Sequence, residues 1–272
     1  METITLEISS SDELSSSIAK YKNQSSFYDV TVSYYMTQEE IEMLASSEIG
    51  QNATNLSISP RDYCDNSPEI DYSLVTFPLL LELSVHYQKI KAIHITKDNT
   101  PKLKHLSIEQ VAEEVEYFLT DLPDLETIVL QFVDLSDPRG FGKSLSRSPK
   151  LNSVNCYKLW GLSGTKSSLV LPSCEHLKFY RSDDLGYLKI WAPKLERLNL
   201  QACYSIKEVT ILDSIPQGYK AKGKEYNFEG KLSDYKVNFI NTSVPRGNIT
   251  THARCIKVVK DLEDKEDENG FF

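Results

Sequence analysis

The chain has 272 residues, which is enough for one large domain or two small ones. Hydrophobic residues make up 40% and charged residues 25%, close to the globular average, and this excludes wholesale disorder. The formal net charge of -9 argues against a nucleic-acid partner, because phosphate binding needs clustered cations, and no apolar run reaches the ~18–20 residues of a membrane span.

The N-terminus and the cysteines indicate the cellular compartment. The opening METITLEISSSDEL lacks the basic and apolar regions of a secretory signal. The five cysteines are dispersed and include no CxxC pair, which favours reduced thiols over a disulfide framework or a zinc site. We therefore predict a cytoplasmic or nuclear protein that has no membrane partner and binds no metal or cofactor.

In chain order, the first predicted strands are TLEI ending at Ile8, DVTV at Val32 and NLSI at Ile58, each alternating between apolar and polar residues. The segments between these strands predict helices over Ser11–Tyr21 and Thr37–Ser46. In the second helix Thr37 is followed three residues later by Glu40, the spacing of a capping box.

A repeat then dominates the chain. Six stretches share the pattern P-x-[L/C]-x-x-[L/I/V]-x-[apolar], and their prolines are spaced 23, 22, 26, 23 and 21 residues apart. These stretches begin at Pro78, Pro101, Pro123, Pro149, Pro172 and Pro193. Together with the three earlier strands they predict nine coils, each with one short strand, within residues 1–212.

The segments between the later strands differ in character. Ser107–Phe118 predicts a helix, whereas the residues at 90–95, 185–190 and 206–211 alternate and predict second strands. GFGKS at 140–144 matches the end of a phosphate-binding loop, but the position of the first glycine is Asp137, so we interpret the segment as a protruding loop.

The last part of the chain loses the repeat. Residues 213–262 contain alternating stretches at 225–230, 234–243 and 255–262, which predict a β-rich cap over the C-terminal end of the coils. Residues 263–272 are an acidic segment whose composition predicts disorder.

With this repeat, the sequence resembles leucine-rich repeat proteins. The best unit is Leu195-Glu-Arg-Leu-Asn-Leu-Gln-Ala-Cys203, which fits the cysteine-containing type L-x-x-L-x-L-x-x-[N/C]. The resemblance implies an α/β solenoid, a horseshoe with a parallel concave β-sheet and a mixed helical and extended convex side. The ladder position that Cys203 occupies varies between coils, which predicts irregular turns; in the five preceding coils it is Gln88, Val111, Val133, Leu159 and Ser182.

The same alignment predicts which side chains face outward from the strands. The outward positions of the later coils gather a cluster of aromatic and basic residues of the kinds enriched at binding hot spots: Tyr157, His176, Lys178, Tyr180, Arg197 and Gln201. Such positions hold polar residues in any case, so a solvated face without a partner is the alternative.

Several functions fit this surface. The leading prediction is a non-enzymatic scaffold that binds a protein or peptide on its concave face, as a monomer or as part of a larger complex. One alternative is a small-ligand site or an enzyme that uses the His, Tyr, Lys and Arg cluster. Another is the substrate-recognition subunit of a ubiquitin-ligase-like complex. A zinc site from His86 and His105 would need Glu82 and Glu109 as further ligands, and ordinary surface histidines are the simpler interpretation.

Overall fold

The fold is taken from a computed structural model. The residues that it describes are 2–61, 64, 66–109, 114–115, 118–135, 138–161, 167–182, 187–192, 194–195, 197–201, 208–211, 236–240, 249–250 and 255–259.

The described residues form four short α-helices and many strands. The helices are α1 (Ser11–Lys20), α2 (Gln38–Ser46), α3 (Glu48–Gln51) and α4 (Pro138–Leu145), with a 3-10 turn at Tyr72–Leu74. The strands are β1 (Thr3–Ile8), β2 (Phe27–Val32), β3 (Ala53–Ile58), β4 (Glu69–Asp71), β5 (Glu82–His86), β6 (Lys89–Thr96), β7 (His105–Glu109), β8 (Glu114–Val115), β9 (Phe118–Asp121), β10 (Thr127–Leu135), β11 (Ser153–Trp160), β12 (Ser167–Val170), β13 (His176–Tyr180), β14 (Tyr187–Trp191), β15 (Arg197–Gln201), β16 (Glu208–Ile211), β17 (Lys236–Ile240), β18 (Ile249–Thr250) and β19 (Cys255–Val259).

One long parallel sheet organises the chain. Its strands follow the order β1-β2-β3-β5-β7-β10-β11-β13-β15-β17-β19, with β8 pairing β10 at the side. The order of strands in the sheet therefore follows their order in the sequence. Two smaller parallel sheets use the other strands, β4-β6-β9 and β12-β14-β16-β18.

The repeat pattern explains this sheet physically. Strand register aligns one inward position of eight strands, from β2 to β15, into one row of residues that are at most 1% exposed: Val30, Leu56, Leu83, Leu106, Ile128, Val154, Leu177 and Leu198. A second such row is formed by Val32, Ile58, Val85, Ile108, Leu130, Cys156, Phe179 and Leu200. Because successive side chains of a strand point to opposite faces, one face of the sheet is buried and the other is left for solvent.

The buried face shares a single apolar core with the helices and the smaller sheets. Leu14 of α1, Ile41 of α2 and Ile93 of β6 belong to the same hydrophobic cluster as the sheet residues. The residue two places after each repeat proline is also buried, namely Leu80, Leu103, Leu125, Leu151, Cys174 and Leu195. The protein is therefore a mostly parallel β-sheet with few helices, of α/β-like character.

The local signals of the N-terminal helices are confirmed. Helix α2 begins after Thr37, whose side chain accepts a hydrogen bond from the Glu40 amide at 3.3 Å. The Glu40 carboxylate accepts one in return from the Thr37 amide at 2.8 Å. This reciprocal capping box satisfies two amides that the first turn leaves without helical partners.

The helix predicted over Ser107–Phe118 is wrong for the residues that the structure describes. Ser107 lies in β7, Val115 in β8, and Phe118 begins β9. Strands β8 and β9 pair with β10 and β6, respectively. The Val-rich and aromatic composition suits strands, and pairing with a neighbouring strand outweighs a helical apolar spacing in such a short segment.

The segment GFGKS is also not a protruding loop. Gly140–Ser144 lie inside α4, where Phe141 and Leu145 are buried at 1% or less. A phosphate-binding loop would require these glycines to precede a helix N-terminus rather than to form the helix. The predicted second strands at 90–95, 185–190 and 206–211 correspond, in their described parts, to β6, β14 and β16.

Parallel pairing continues beyond residue 212. Strand β17 pairs with β15, and β19 pairs with β17, so both extend the main sheet. Residues 213–235, which include the predicted strand at 225–230, and residues 260–272, which include the predicted acidic segment, lie outside the described residues. The domain boundaries at 212 and 262 stay predictions. No described helix has the length and apolar character needed to cross a membrane.

Tyr72 gives a prediction about stability. Its side chain is buried, and its hydroxyl has no hydrogen-bond partner among the described residues. A buried unpaired hydroxyl costs about 1–3 kcal/mol, so Tyr72→Phe should raise the free energy of unfolding by about 1 kcal/mol. The measurement is urea denaturation followed by circular dichroism.

The pH dependence of this stability difference is a second test of the buried Tyr72 hydroxyl. Burial raises the pKa of the Tyr72 phenol above its ordinary value. Because the folded pKa lies above the unfolded value near 10, the stability linked to this group is intact below about pH 10 and is lost as the pH rises further. The advantage of Tyr72→Phe over the wild type should therefore widen between about pH 8 and about pH 10.5. A variant less stable than the wild type at both pH values would contradict the assignment.

Candidate binding surface on the main sheet

The outward face of the main sheet carries the sequence-predicted site residues in three rows. Register places His176 opposite Ser153 and Arg197, and Lys178 opposite Asn155 and Asn199. Tyr180 lies opposite Tyr157 on one side and Gln201 on the other. Only the strand positions of Arg197 and Gln201 are described; their side chains lie outside the described part of the chain.

The structure brings two of the predicted residues into direct contact. The rings of Tyr157 and Tyr180 stack with their centroids 4.9 Å apart and their planes 18° apart. Both rings are half-buried, and each follows a fully buried strand residue, Cys156 and Phe179. The stack is therefore held by neighbouring parallel strands and presents a preorganised aromatic surface.

Phe132, which strict alternation does not assign to the outward face, extends this stack. Its ring lies 5.2 Å from that of Tyr157 and 6.4 Å from that of Trp160, centroid to centroid. Phe132 is half-buried and lies on β10, immediately after Gln131, the register partner of Tyr157. Three aromatic side chains thus line three successive strands of the sheet.

Three cations surround these rings. The Lys158 ammonium lies 4.6 Å from the Phe132 centroid and 5.7 Å from the Tyr157 centroid. The Lys178 ammonium and the Arg181 guanidinium lie 5.9 and 5.3 Å from the Tyr180 centroid. At these distances the ring quadrupoles attract the cations. We call Phe132, Tyr157, Lys158, Lys178, Tyr180 and Arg181 the aromatic–basic patch.

A recurrent backbone feature explains why the patch contains residues that a strict alternation of inward and outward side chains does not predict. Tyr87, Phe132, Lys158 and Arg181 have positive φ angles between 48° and 58°, and each lies one residue after the last outward position of a face strand. Non-glycine residues rarely adopt this left-handed conformation. It turns the backbone so that the side chain of this residue joins the preceding one on the same face, as the contact of Lys158 with Tyr157 shows.

The residue after each left-handed position anchors the turn. These residues are fully buried: Gln88, Val133, Leu159 and Ser182. The Ser182 hydroxyl accepts a hydrogen bond from the Leu159 amide at 3.3 Å, which ties the turn of Lys158 to that of Arg181. The Gln88 side chain accepts from the Met36 amide at 3.0 Å and donates to the Pro68 carbonyl.

The repeat itself contained a signal for these residues. The buried positions at the end of each strand are three residues apart rather than two, as in Cys156 and Leu159 or Phe179 and Ser182. An interval of three places two consecutive residues between inward side chains, and both are then available to the outward face. That interval predicts Phe132, Lys158 and Arg181.

His176 lies apart from the stack and is exposed at the start of β13. The other two histidines of the face lie on β5 and β7. His86 Nδ1 is 2.7 Å from a Glu109 carboxylate oxygen, and His105 is the register partner of Glu82. Among the described residues no group of three or more His, Cys, Asp or Glu is placed to hold a metal ion.

Charge is divided along the outward face. The outward positions of β1, β2, β3, β5 and β7 carry four carboxylates and no Lys or Arg: Glu7, Asp29, Glu82 and Glu109. In β13, β15 and β11 as far as Lys158, together with the left-handed residue after β13, the charged residues are all cations: Lys158, Lys178, Arg181 and Arg197. Strand β10, which carries Phe132, also carries a carboxylate, that of Asp134 beside Trp160 of β11. The cations of the aromatic–basic patch therefore lie at the end of the face away from the acidic strands, with Asp134 at their border.

No protein-family model matches the chain, and no curated protein matches it in sequence.

Proposed function

We propose that the chain is an irregular leucine-rich repeat protein whose main sheet lines the concave side of a solenoid. The helices and the smaller sheets form the convex side in this proposal, and residues 213–262 act as the C-terminal cap. The regular rows of buried residues support it, since stacked coils bury their leucines only against neighbouring coils.

We propose further that this protein is a non-enzymatic scaffold that binds a protein or peptide through the aromatic–basic patch. The observation that carries the proposal is the stack of Tyr157 on Tyr180 with Lys158 and Arg181 beside it. Tyr and Arg are enriched among the residues that dominate binding energies at interfaces. Tyr offers a large contact area with few rotatable bonds, and Arg offers several hydrogen-bond donors.

A rigid sheet is a suitable support for such a surface. The stacked tyrosines belong to adjacent parallel strands whose inward residues Val154, Cys156, Leu177 and Phe179 are at most 1% exposed. Little backbone freedom is therefore lost when a partner docks, and the entropic cost of binding is reduced.

The test is an affinity capture from native cell extract with the wild type and the Tyr157→Ala/Tyr180→Ala double variant. Loss of two hot-spot aromatics costs about 2 kcal/mol or more each, so capture of the specific partner should fall by at least about 100-fold. The matched control is Tyr21→Ala. Tyr21 lies at the end of α1, is half-buried and packs edge-to-face on Tyr28 of β2.

The control should capture the same partner as the wild type. Equal capture by the double variant and the wild type, with unchanged circular dichroism, would contradict the proposed surface. Loss of capture by Tyr21→Ala as well would indicate that the tyrosine substitutions act through stability instead.

A further inference from the structure

We infer that the segment bound by the aromatic–basic patch is a short acidic peptide, with two or three Asp or Glu side chains within about five extended residues. This inference rests on the proposed peptide-binding function and names the chemistry of the partner. It is carried by the division of charge on the outward face and by the way in which the cations are held.

The division of charge runs against the composition. The chain has 39 acidic and 30 basic residues, yet β13, β15, β11 as far as Lys158 and the left-handed residue that follows β13 contain four cations and no carboxylate. The adjacent strand β10 carries one carboxylate, Asp134, beside Trp160. The register continues the basic character, since Lys236 lies beside Arg197 in the next strand, and Lys257 shares the row of Lys178. A surface of this sign attracts carboxylates and repels basic segments.

The cations are positioned by aromatic rings. Lys158 lies over Phe132 and Tyr157, and no carboxylate of the described residues lies within 4 Å of its ammonium. Ring contacts fix such a charge without neutralising it. Because the rings are half-buried, an incoming carboxylate meets this charge at a lower local dielectric than on an open surface, and the pair is correspondingly stronger.

Spacing limits the length of the acidic segment. Neighbouring strands are about 4.8 Å apart, so the strand positions of Lys158, Lys178 and Arg197, on β11, β13 and β15, extend over roughly 10 Å. Alternate side chains of an extended peptide are separated by about 6.6–6.8 Å, so two or three carboxylates cover the basic region.

The other half of the face argues against a long polyanion. Glu7, Asp29, Glu82 and Glu109 lie on the strands that precede the patch. A nucleic-acid strand that continued across the sheet would meet these carboxylates, and its phosphates would be repelled. A short acidic peptide contacts the basic region without extending to these carboxylates.

The test is a phage-display experiment, in which peptides are selected from a random linear library by binding to the full chain or to its variants. The wild type should enrich peptides rich in Asp and Glu, and these should not bind Tyr157→Ala/Tyr180→Ala. Lys158→Glu/Lys178→Glu should instead enrich peptides rich in Lys and Arg. Its affinity for the best acidic peptide should fall by about 100-fold or more.

Two further variants keep the test interpretable. Lys22→Glu/Lys102→Glu makes the same change of charge at exposed positions away from the face and should select as the wild type does. Lys158→Gln/Lys178→Gln removes the charge without reversing it, and its loss of affinity should be intermediate. Binding of the selected peptides should also weaken steadily between about 50 and about 300 mM NaCl.

The outcomes separate the inference from the proposed function. Peptides that depend on Tyr157 and Tyr180 but show no enrichment of Asp or Glu would overturn the acidic class and leave peptide binding intact. If no selected peptide depends on these tyrosines, the proposed function fails, and the inference fails with it. Tighter binding of a labelled uridine homopolymer to the same patch, in fluorescence anisotropy, would overturn the inference in favour of a nucleic acid.

Discussion

Gly161→Ala should lower the free energy of unfolding by about 3 kcal/mol or more. Gly161 follows β11 with a φ of 80°, and a Cβ placed on it would lie 1.9 Å from the carbonyl oxygen of Leu135. The same Cβ would lie within 2.9 Å of two further backbone atoms of Leu135. Because these neighbours are backbone atoms of the adjacent strand β10, the overlap is relieved only by separating the ends of two paired strands.

Thermal denaturation followed by circular dichroism measures this effect. For a chain of this size, 3 kcal/mol corresponds to a fall in Tm of roughly 6–12 °C. Gly161→Asn separates the two causes, since Asn tolerates a left-handed backbone yet still carries a Cβ. It should be nearly as destabilising as Ala. A melting temperature for Gly161→Ala within about 2 °C of the wild type would contradict the close approach of these strands.

Phe179→Ala should be destabilising by about 3–5 kcal/mol, the usual cost of removing a buried phenylalanine. Phe179 has no exposed surface and belongs to the row that also contains Cys156 and Leu200. The loss combines the transfer free energy of the ring with the cavity left between packed strands. Chemical denaturation of both proteins gives the difference directly.

Tyr180→Ala, one residue further along β13, is the matched comparison. Its ring lies on the outward face, half-buried and stacked on Tyr157, so its truncation should cost much less stability, about 1 kcal/mol. It should nevertheless weaken partner binding strongly, whereas Phe179→Ala should affect binding only as far as it unfolds the protein. Similar losses of stability in the two variants would contradict the assignment of opposite faces.

The sheet was predictable from sequence because each repeat must bury its own apolar positions. The pattern that starts at Pro78 recurs at Pro101, Pro123 and Pro149, and the apolar positions that it predicts are buried in every case. The parallel sheet, its strand order and its inward rows follow from that recurrence. The cap of α2 was predictable as well, since Thr37 and Glu40 act within one turn.

The structure was not predictable from sequence where pairing with strands distant in sequence determines it. The residues after Ser107 show a helical spacing, but Val115 pairs beside Leu135, and Phe118 pairs beside Ile93. Neither pairing is visible in the local pattern. Strands β17 and β19 were predicted as extended, but not as parallel members of the main sheet. Strand β17 pairs with β15, which precedes it by more than 30 residues, and β19 pairs with β17, and no spacing rule predicts these pairings.

The candidate site was predictable in part for a related reason. Strict alternation assigned Tyr157, Lys178 and Tyr180 to the outward face, where the structure places them. It omitted Phe132, Lys158 and Arg181, because a left-handed residue interrupts the period of two at the end of each strand. The interval of three between buried residues contains this information, whereas the stacking of the rings requires coordinates.

The most direct test of the main sheet as the binding surface is photo-crosslinking in native extract, with benzoylphenylalanine placed at one position of the full chain at a time. Gln131 is the informative position, because it faces outward beside Tyr157 without belonging to the aromatic–basic patch. Ser57, on β3 of the same face, and Tyr21, at the end of α1, are the comparison positions. We expect a discrete adduct from Gln131 alone, and its disappearance when Tyr180→Ala is added. Adducts of equal yield at all three positions, or an adduct from Tyr21 alone, would contradict the main sheet as the binding surface.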